Sequence, residues 1–187
     1  MAESSQSQQA AFDPGGFYEF DLGAGAVRTR DGERVVLVAP EVLRPLVAAA
    51  AERGDLTPLR NFGNGLARHA KSSLGGGAGG ASPEAVLRHA SAVVALFGLG
   101  VLDLERWGKA LVFRLTESPE LDEKHLAVAA FLGGFVSELT GQDIACVPVG
   151  DDRFLVTHPS SADRVWALSR GGSSLADIVA VLEGSKR

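Results

Sequence analysis

Residues that could carry chemistry are few, and they are scattered. Cysteine occurs once, at Cys146. A single thiolate makes a poor metal site, because structural sites take about four ligands. A nucleophilic thiol needs a base or a positive neighbour to hold it as thiolate. None adjoins Cys146, which lies between Ala145 and Val147 in a strand-like run, so it reads as a small buried apolar side chain. His69, His89, His125 and His158 stand apart, and no two have the spacing of ligands on one helix face. His69 and His89 fall on neighbouring expected helices and could meet there; satisfied core or surface imidazoles are the plainer reading. The acidic pairs are Asp103/Glu105, Asp122-Glu123 and Asp151-Asp152. Asp103 and Glu105 share one strand face, where Arg114 on the next strand can pair across to them. They read as a solvated sheet face and turns rather than as a catalytic dyad. Glycine runs at Gly23–Gly25 and Gly75–Gly80 do not lead into the lysine and hydroxyl residue of a phosphate-binding loop, and read as flexible loops. With no nucleophile, base or metal shell to name, the chain reads as a non-enzymatic protein with no cofactor.

The positive signal is apolar. Phe62 and Leu66 lie on one expected helix stripe, Val94 and Phe97 on a second, and Phe131 and Phe135 on a third. They are candidate linings of a pocket or of a protein interface. Trp107 joins them as a candidate. It shares its strand face with Asp103 and Glu105, which suits either packing under a loop or a half-exposed contact anchor.

Several elements must position these residues. Met1–Pro14, rich in Ser, Gln and Ala, predicts a disordered tail. Strands follow over 17–21, 26–30 and 34–38, the last two flanking Asp31-Gly32 as a hairpin. A helix from Pro40 must accommodate Pro45 by starting late or kinking. A second opens at Asp55-Leu56-Thr57-Pro58, and a Gly-rich loop runs from Ser72 to Ala81. Ser82-Pro83-Glu84 is a strong helix start: a cap, a first-turn proline and an acidic first turn. Strands over 101–107 and 110–116 join across Gly108-Lys109. The longest helix is expected over 122–139, apolar on most sides and therefore buried in a core or an interface. Gly133-Gly134 costs that helix about 1 kcal/mol per glycine against alanine, which close packing against another element would offset. A hairpin across 142–157, a short helix over 161–169 and a last helix from Ser174 complete the chain. This order is not a strict strand–helix alternation. It predicts an α+β fold: a mostly antiparallel sheet packed against helices on one side. The domain is expected over 15–170, with 171–187 as a helical extension.

Bulk composition limits the partners. The chain has 187 residues, 45% apolar and 22% charged, with a net charge of −5, which argues against a general affinity for nucleic acid or anionic membrane. No apolar run is long enough to span a membrane. One cysteine and no leader-like start point to a cytoplasmic protein.

The stretch from Ala92 to Thr157 resembles the 4-vinyl reductase and TRAPP-subunit superfamily. LFGLGVLDLERWGKALVFRLTESP is similar to that family's helix end, glycine corner and hairpin closing at Ser-Pro. HLAVAAFLGGFVSELTGQDIACVPVGDDRFLVT is similar to its central helix with paired glycines and its terminal hairpin. GERVVLVAPEVLRPLVAAA and LRNFGNGLARHA resemble its opening strand and first helices more loosely. The resemblance implies a mixed fold that often forms a homodimer through helices. TRAPP subunits scaffold complexes that regulate small GTPases. Other members enclose an apolar pocket and look like sensors of hydrophobic small molecules. Many bacterial members carry several cysteines near the last hairpin, thought to hold a metal or ligand; here Cys146 has no partner, which weakens a metal-type sensor. Two readings follow: a homodimeric interaction module in a regulatory protein complex, or a sensor with a hydrophobic small molecule in an internal pocket.

Overall fold

A computed structural model describes residues 16–73, 82–150 and 152–184. The expected tail over 1–14, the glycine run Gly75–Gly80 and Asp151 lie outside the described residues. Contacts divide the chain into two units, Met1–Leu37 and Val38–Arg187.

In the first unit, β1 (Tyr18–Asp21), β2 (Ala26–Thr29) and β3 (Arg34–Val35) form an antiparallel sheet in that order. The Asp21 carboxylate accepts the Ala24 N–H at 2.9 Å and closes the first turn. At the second turn Gly32 adopts φ 88°, a region that favours glycine. The buried Thr29 hydroxyl accepts the Glu33 N–H at 3.1 Å. β3 stops at Val35, so Val36–Val38, expected within the strand, are irregular and exposed.

The second unit carries α1 (Pro40–Glu52), α2 (Thr57–Ser73), α3 (Pro83–Leu96), β4 (Val101–Trp107), β5 (Ala110–Thr116), α4 (Leu126–Thr140), β6 (Ala145–Pro148), β7 (Arg153–Thr157), α5 (Pro159–Arg170) and α6 (Leu175–Gly184). The four strands form an antiparallel sheet in the order β4-β5-β7-β6. The fold is α+β, as the segment order predicts.

Three details differ from the sequence reading. α1 starts at Pro40, not late, and continues through Pro45. The longest helix is α2, with 17 residues, because it continues to Ser73 through what reads as loop from Ser72. α4 begins at Leu126 rather than Asp122, because His125 takes a left-handed φ of 54°. The Asp122 carboxylate, folded back from upstream, accepts the Leu126 and Ala127 N–H groups at 2.7 and 3.1 Å and caps the helix.

The sheet is covered on both faces, not one. Leu102, Phe113, Leu115, Cys146 and Phe154 point to one side and pack with α2, α3 and α4. The alternating neighbours Val112, Val147 and Leu155 point to the other side and pack with Val165 of α5 and Ile178 of α6. Burial of apolar residues on both faces requires a second helical layer, which α5 and α6 supply. The C-terminal helix, read as an extension, belongs to this layer, and its Glu183 carboxylate accepts the Lys109 N–H of the β4–β5 turn at 2.8 Å.

α4 fills the space between α2 and the sheet. Its paired glycines face different neighbours. A Cβ on Gly134 would collide with the Arg60 carbonyl of α2, and one on Gly63 of α2 would collide with the Phe131 carbonyl of α4. A Cβ on Gly133 would lie 3.0 Å from the Arg60 guanidinium and 3.4 Å from the Ile144 carbonyl at the start of β6. The Arg60 side chain locks the crossing. It donates to the Ile144 carbonyl at 3.0 Å, to the Ser137 hydroxyl at 2.9 Å and to the Asp143 carboxylate at 2.7 Å.

Candidate functional site

The helical stripes read from the sequence converge on one interior cluster between α2, α3, α4 and the inner sheet face. Leu66, Val94, Phe131 and Phe135 are all buried in it, and Phe97 packs against it from the end of α3. The Phe131 and Phe135 rings stack at 5.8 Å. Phe62 lies at the rim. It is 47% exposed and touches the cluster through Phe131, 5.5 Å away. Trp107 is not part of this site. Strand alternation turns it to the opposite sheet face, where its indole N–H donates to Glu105 at 2.9 Å.

That outer face carries an ion network. Arg153 grips both Glu105 oxygens, at 3.0 and 3.1 Å, and reaches Asp152 at 3.1 Å. Arg153, then the indole N–H of Trp107, hold the Glu105 carboxyl below its usual range. Arg114 stands opposite Asp103 in register, yet its guanidinium pairs with Asp152 at 2.8 Å. Arg114 first, through that bond, lowers the Asp152 pKa. These groups are partly exposed and mutually neutralised, which suits a solvated structural face.

The polar member of the inner site is His69, which the sequence leaves as an isolated imidazole. α2 places it three residues after Leu66, on the buried side of the helix, where it is only 8% exposed. Its ring meets Phe97 edge-on at 5.6 Å. The signal was present in the spacing of Phe62, Leu66 and His69, which follow one helical stripe. His89 on α3 is half-buried beside it.

Cys146 lies on β6 among buried apolar residues, and burial pushes its thiol up to about 12. It stays protonated at neutral pH and is no nucleophile there. Among the described residues no group of three or more His, Cys, Asp or Glu side chains is placed to hold a metal ion. No helix among them is long and apolar enough to cross a membrane. An open groove of about 310 Å³ lies apart from the inner cluster. It is lined by Lys124, His125, Trp166 and Arg170 among others, with the Arg170 guanidinium 5.8 Å from the Trp166 ring. Its mixed charges and open mouth make it a weaker candidate than the inner cluster.

The inner arrangement is a packed apolar cluster with one buried imidazole on α2. Apolar and aromatic walls with one buried hydrogen-bonding side chain suit a small, mostly apolar molecule with a single polar group. No protein-family model matches the chain, and no curated protein matches it in sequence. Among solved structures, the crystal structure of the phenol-responsive sensory domain of the transcription activator PoxR with phenol is similar, with a TM-score of 0.57 over 82% of this chain and 92% of that one, at 14% identity. The likeness is one of fold: this chain shares the α+β architecture of a sensory domain.

Proposed function

We propose that the unit from Val38 to Arg187 is a sensory domain for a small, mainly apolar molecule with one hydroxyl group, a phenol being the simplest example. The molecule is held between α2, α3, α4 and the inner sheet face. The observation that carries this reading is His69, an imidazole buried in an otherwise apolar cluster beside the Phe97 ring. Leu66, Val94, Phe131 and Phe135 supply the walls, and His69 supplies the hydrogen bond that fixes the hydroxyl. α3 meets α2 much less extensively than α4 does, so the α2–α3 seam is the side on which the site opens. One comparison supports the reading: the fold likeness to a phenol-responsive sensory domain.

Calorimetric titration with phenol tests it. Saturable binding is expected, and His69→Phe weakens it roughly 10- to 100-fold, as loss of one buried hydrogen bond does. Absence of any binding at about 10 mM phenol, beyond the millimolar range, overturns the reading.

A second reading, the homodimeric scaffold, draws on α1. Val42 and Leu46, one helical turn apart, are 58% and 66% exposed. A pair of copies meeting through α1 predicts a dimer in light scattering that Leu46→Glu converts to monomer. A wild-type monomer across the micromolar range removes this reading.

A further inference from the structure

The groove of about 310 Å³ lies where the loop before α4, the end of β6 and the last turn of α5 come together. Its walls are held. Ser169 of α5 donates its hydroxyl to the Pro148 carbonyl of β6 at 2.9 Å, which ties one helix end to one strand end. Trp166 is half-buried and packs on the outer core, and the Arg170 guanidinium stands 5.8 Å from its ring centroid. His125, in its left-handed turn at φ 54°, meets the buried Phe154 ring edge-on at 6.5 Å. The Asp122 carboxylate already takes the Leu126 and Ala127 N–H groups at the start of α4. What this end of the helix contributes to the groove is therefore the side chains of Lys124 and His125.

Lys124 and Arg170 are exposed, and among the described residues neither forms an ion pair. Arg60, Arg68, Lys71, Arg114 and Arg153 are each paired with a carboxylate instead. Glu123 also lines the groove, so two cations against one anion leave a net positive charge there, with His125 counted neutral. The chain as a whole carries −5. Stacking on Trp166 uses the face of the Arg170 guanidinium and leaves its N–H edge open to a carboxylate. The volume is close to the lower end for ligand pockets, roughly 300 Å³, which suits a single ring rather than an extended molecule. The open mouth and the charges that disfavour a neutral apolar guest suit an anion, whose charged end stays near water.

We propose that this groove is a second binding site, for a small aromatic carboxylate, with the ring against Trp166 and Pro148 and the carboxylate between Lys124 and Arg170. An imidazole N–H of His125 supplies a further donor. A bare anion gains only exposed ion pairs here, which are worth little. A neutral ring gains only the apolar wall and the indole face. A ligand that carries both gains both. The inner cluster, by contrast, would strip a carboxylate of its water, so the two sites sort their guests by charge. The groove goes beyond the sensor reading and does not depend on it.

Benzoate is the probe, titrated into the isotope-labelled full chain to about 50 mM, at about pH 7 and constant ionic strength, and followed by NMR. The indole N–H signal of Trp166 is expected to move and saturate with a Kd of millimolar order, while that of Trp107, which does not line the groove, stays in place. Trp107→Phe assigns the two signals. Arg170→Gln and Lys124→Gln, both at exposed positions, are each expected to weaken binding by about threefold to tenfold. Acetate has the charge without the ring, and benzamide the ring without the charge; each is expected to bind at least about tenfold more weakly than benzoate. The proposal is overturned by any of four results: no saturating shift at Trp166, unchanged affinity in either variant, acetate or benzamide as tight as benzoate, or shifts centred on Val94 and Leu132 of the inner cluster. Phenol binding, whichever way it falls, bears on the inner site alone.

Discussion

Gly134→Ala is expected to destabilise the protein by about 3–5 kcal/mol, although alanine is the better helix former. The intrinsic gain is at most about 1 kcal/mol. Against it, the new methyl group would occupy the position of the Arg60 carbonyl and stand 2.9 Å from Asn64 Oδ1. A flexible side chain could yield; a helix carbonyl cannot. Arg60 is also anchored by its own guanidinium to Ile144, Ser137 and Asp143, so α2 cannot shift locally without breaking those bonds. Overpacking at a locked backbone crossing lies at the costly end of core substitutions. Gly65→Ala on α2 is the control: its Cβ would meet nothing nearer than Arg68, at 4.0 Å. That variant should be neutral, or stabilised by about 0.5–1 kcal/mol. Urea unfolding followed by circular dichroism separates the two. A Gly134→Ala protein as stable as wild type would contradict the close crossing of α2 and α4 at the Arg60 carbonyl.

Phe135→Ala is expected to cost about 3–5 kcal/mol, for a different reason. Its ring is 1% exposed, stacks on Phe131 and sits where α4 passes over the inner sheet face. Truncation removes the transfer free energy of the ring and leaves a cavity between elements that the glycine crossing prevents from collapsing. A domain of ordinary stability holds about 5–15 kcal/mol in all, so the variant would sit near the folding limit. Phe62→Ala makes the contrast. That ring is 47% exposed and touches the cluster at one edge, so about 1 kcal/mol or less is expected. Equal losses from the two substitutions, measured by urea midpoint at unchanged slope, would contradict the placement of Phe135 at the centre and Phe62 at the rim.

These two substitutions touch residues that the sequence marks with very different clarity. Phe135 is legible, because a helix apolar on nearly every side has to be buried, and α4 is. The Gly133-Gly134 pair is legible as a site of close approach, since helix-breaking residues at the centre of a buried helix require compensation. Which helix approaches Gly134 is not legible: Gly63 and Gly65 look alike in sequence, and only Gly63 lies at the crossing. The site shows the same division. Leu66, Val94, Phe97, Phe131 and Phe135 follow from helical periodicity, and the structure gathers them. Trp107 lies on the sheet face it shares with Glu105, as strand alternation predicts, and stands apart from the inner cluster because periodicity names a face without saying what covers it. His69 follows the Phe62–Leu66 stripe, but a stripe sets the face of a helix and not whether a polar member of it is buried.

The sequence by itself determined the elements and their class. The Ser82 cap, whose hydroxyl accepts the Ala85 N–H at 3.2 Å, the turn at Gly108-Lys109 and the stripes of α3 and α4 act over a few residues. Such signals are written locally and can be read locally. Only the tertiary structure decided that both sheet faces are covered, that α6 joins the outer layer, and that His69 is buried. Those outcomes depend on contacts between distant segments, such as Arg60 with Ile144, 84 residues apart. The free energy of burying one face against another depends on which partner fits, and no local pattern encodes the partner.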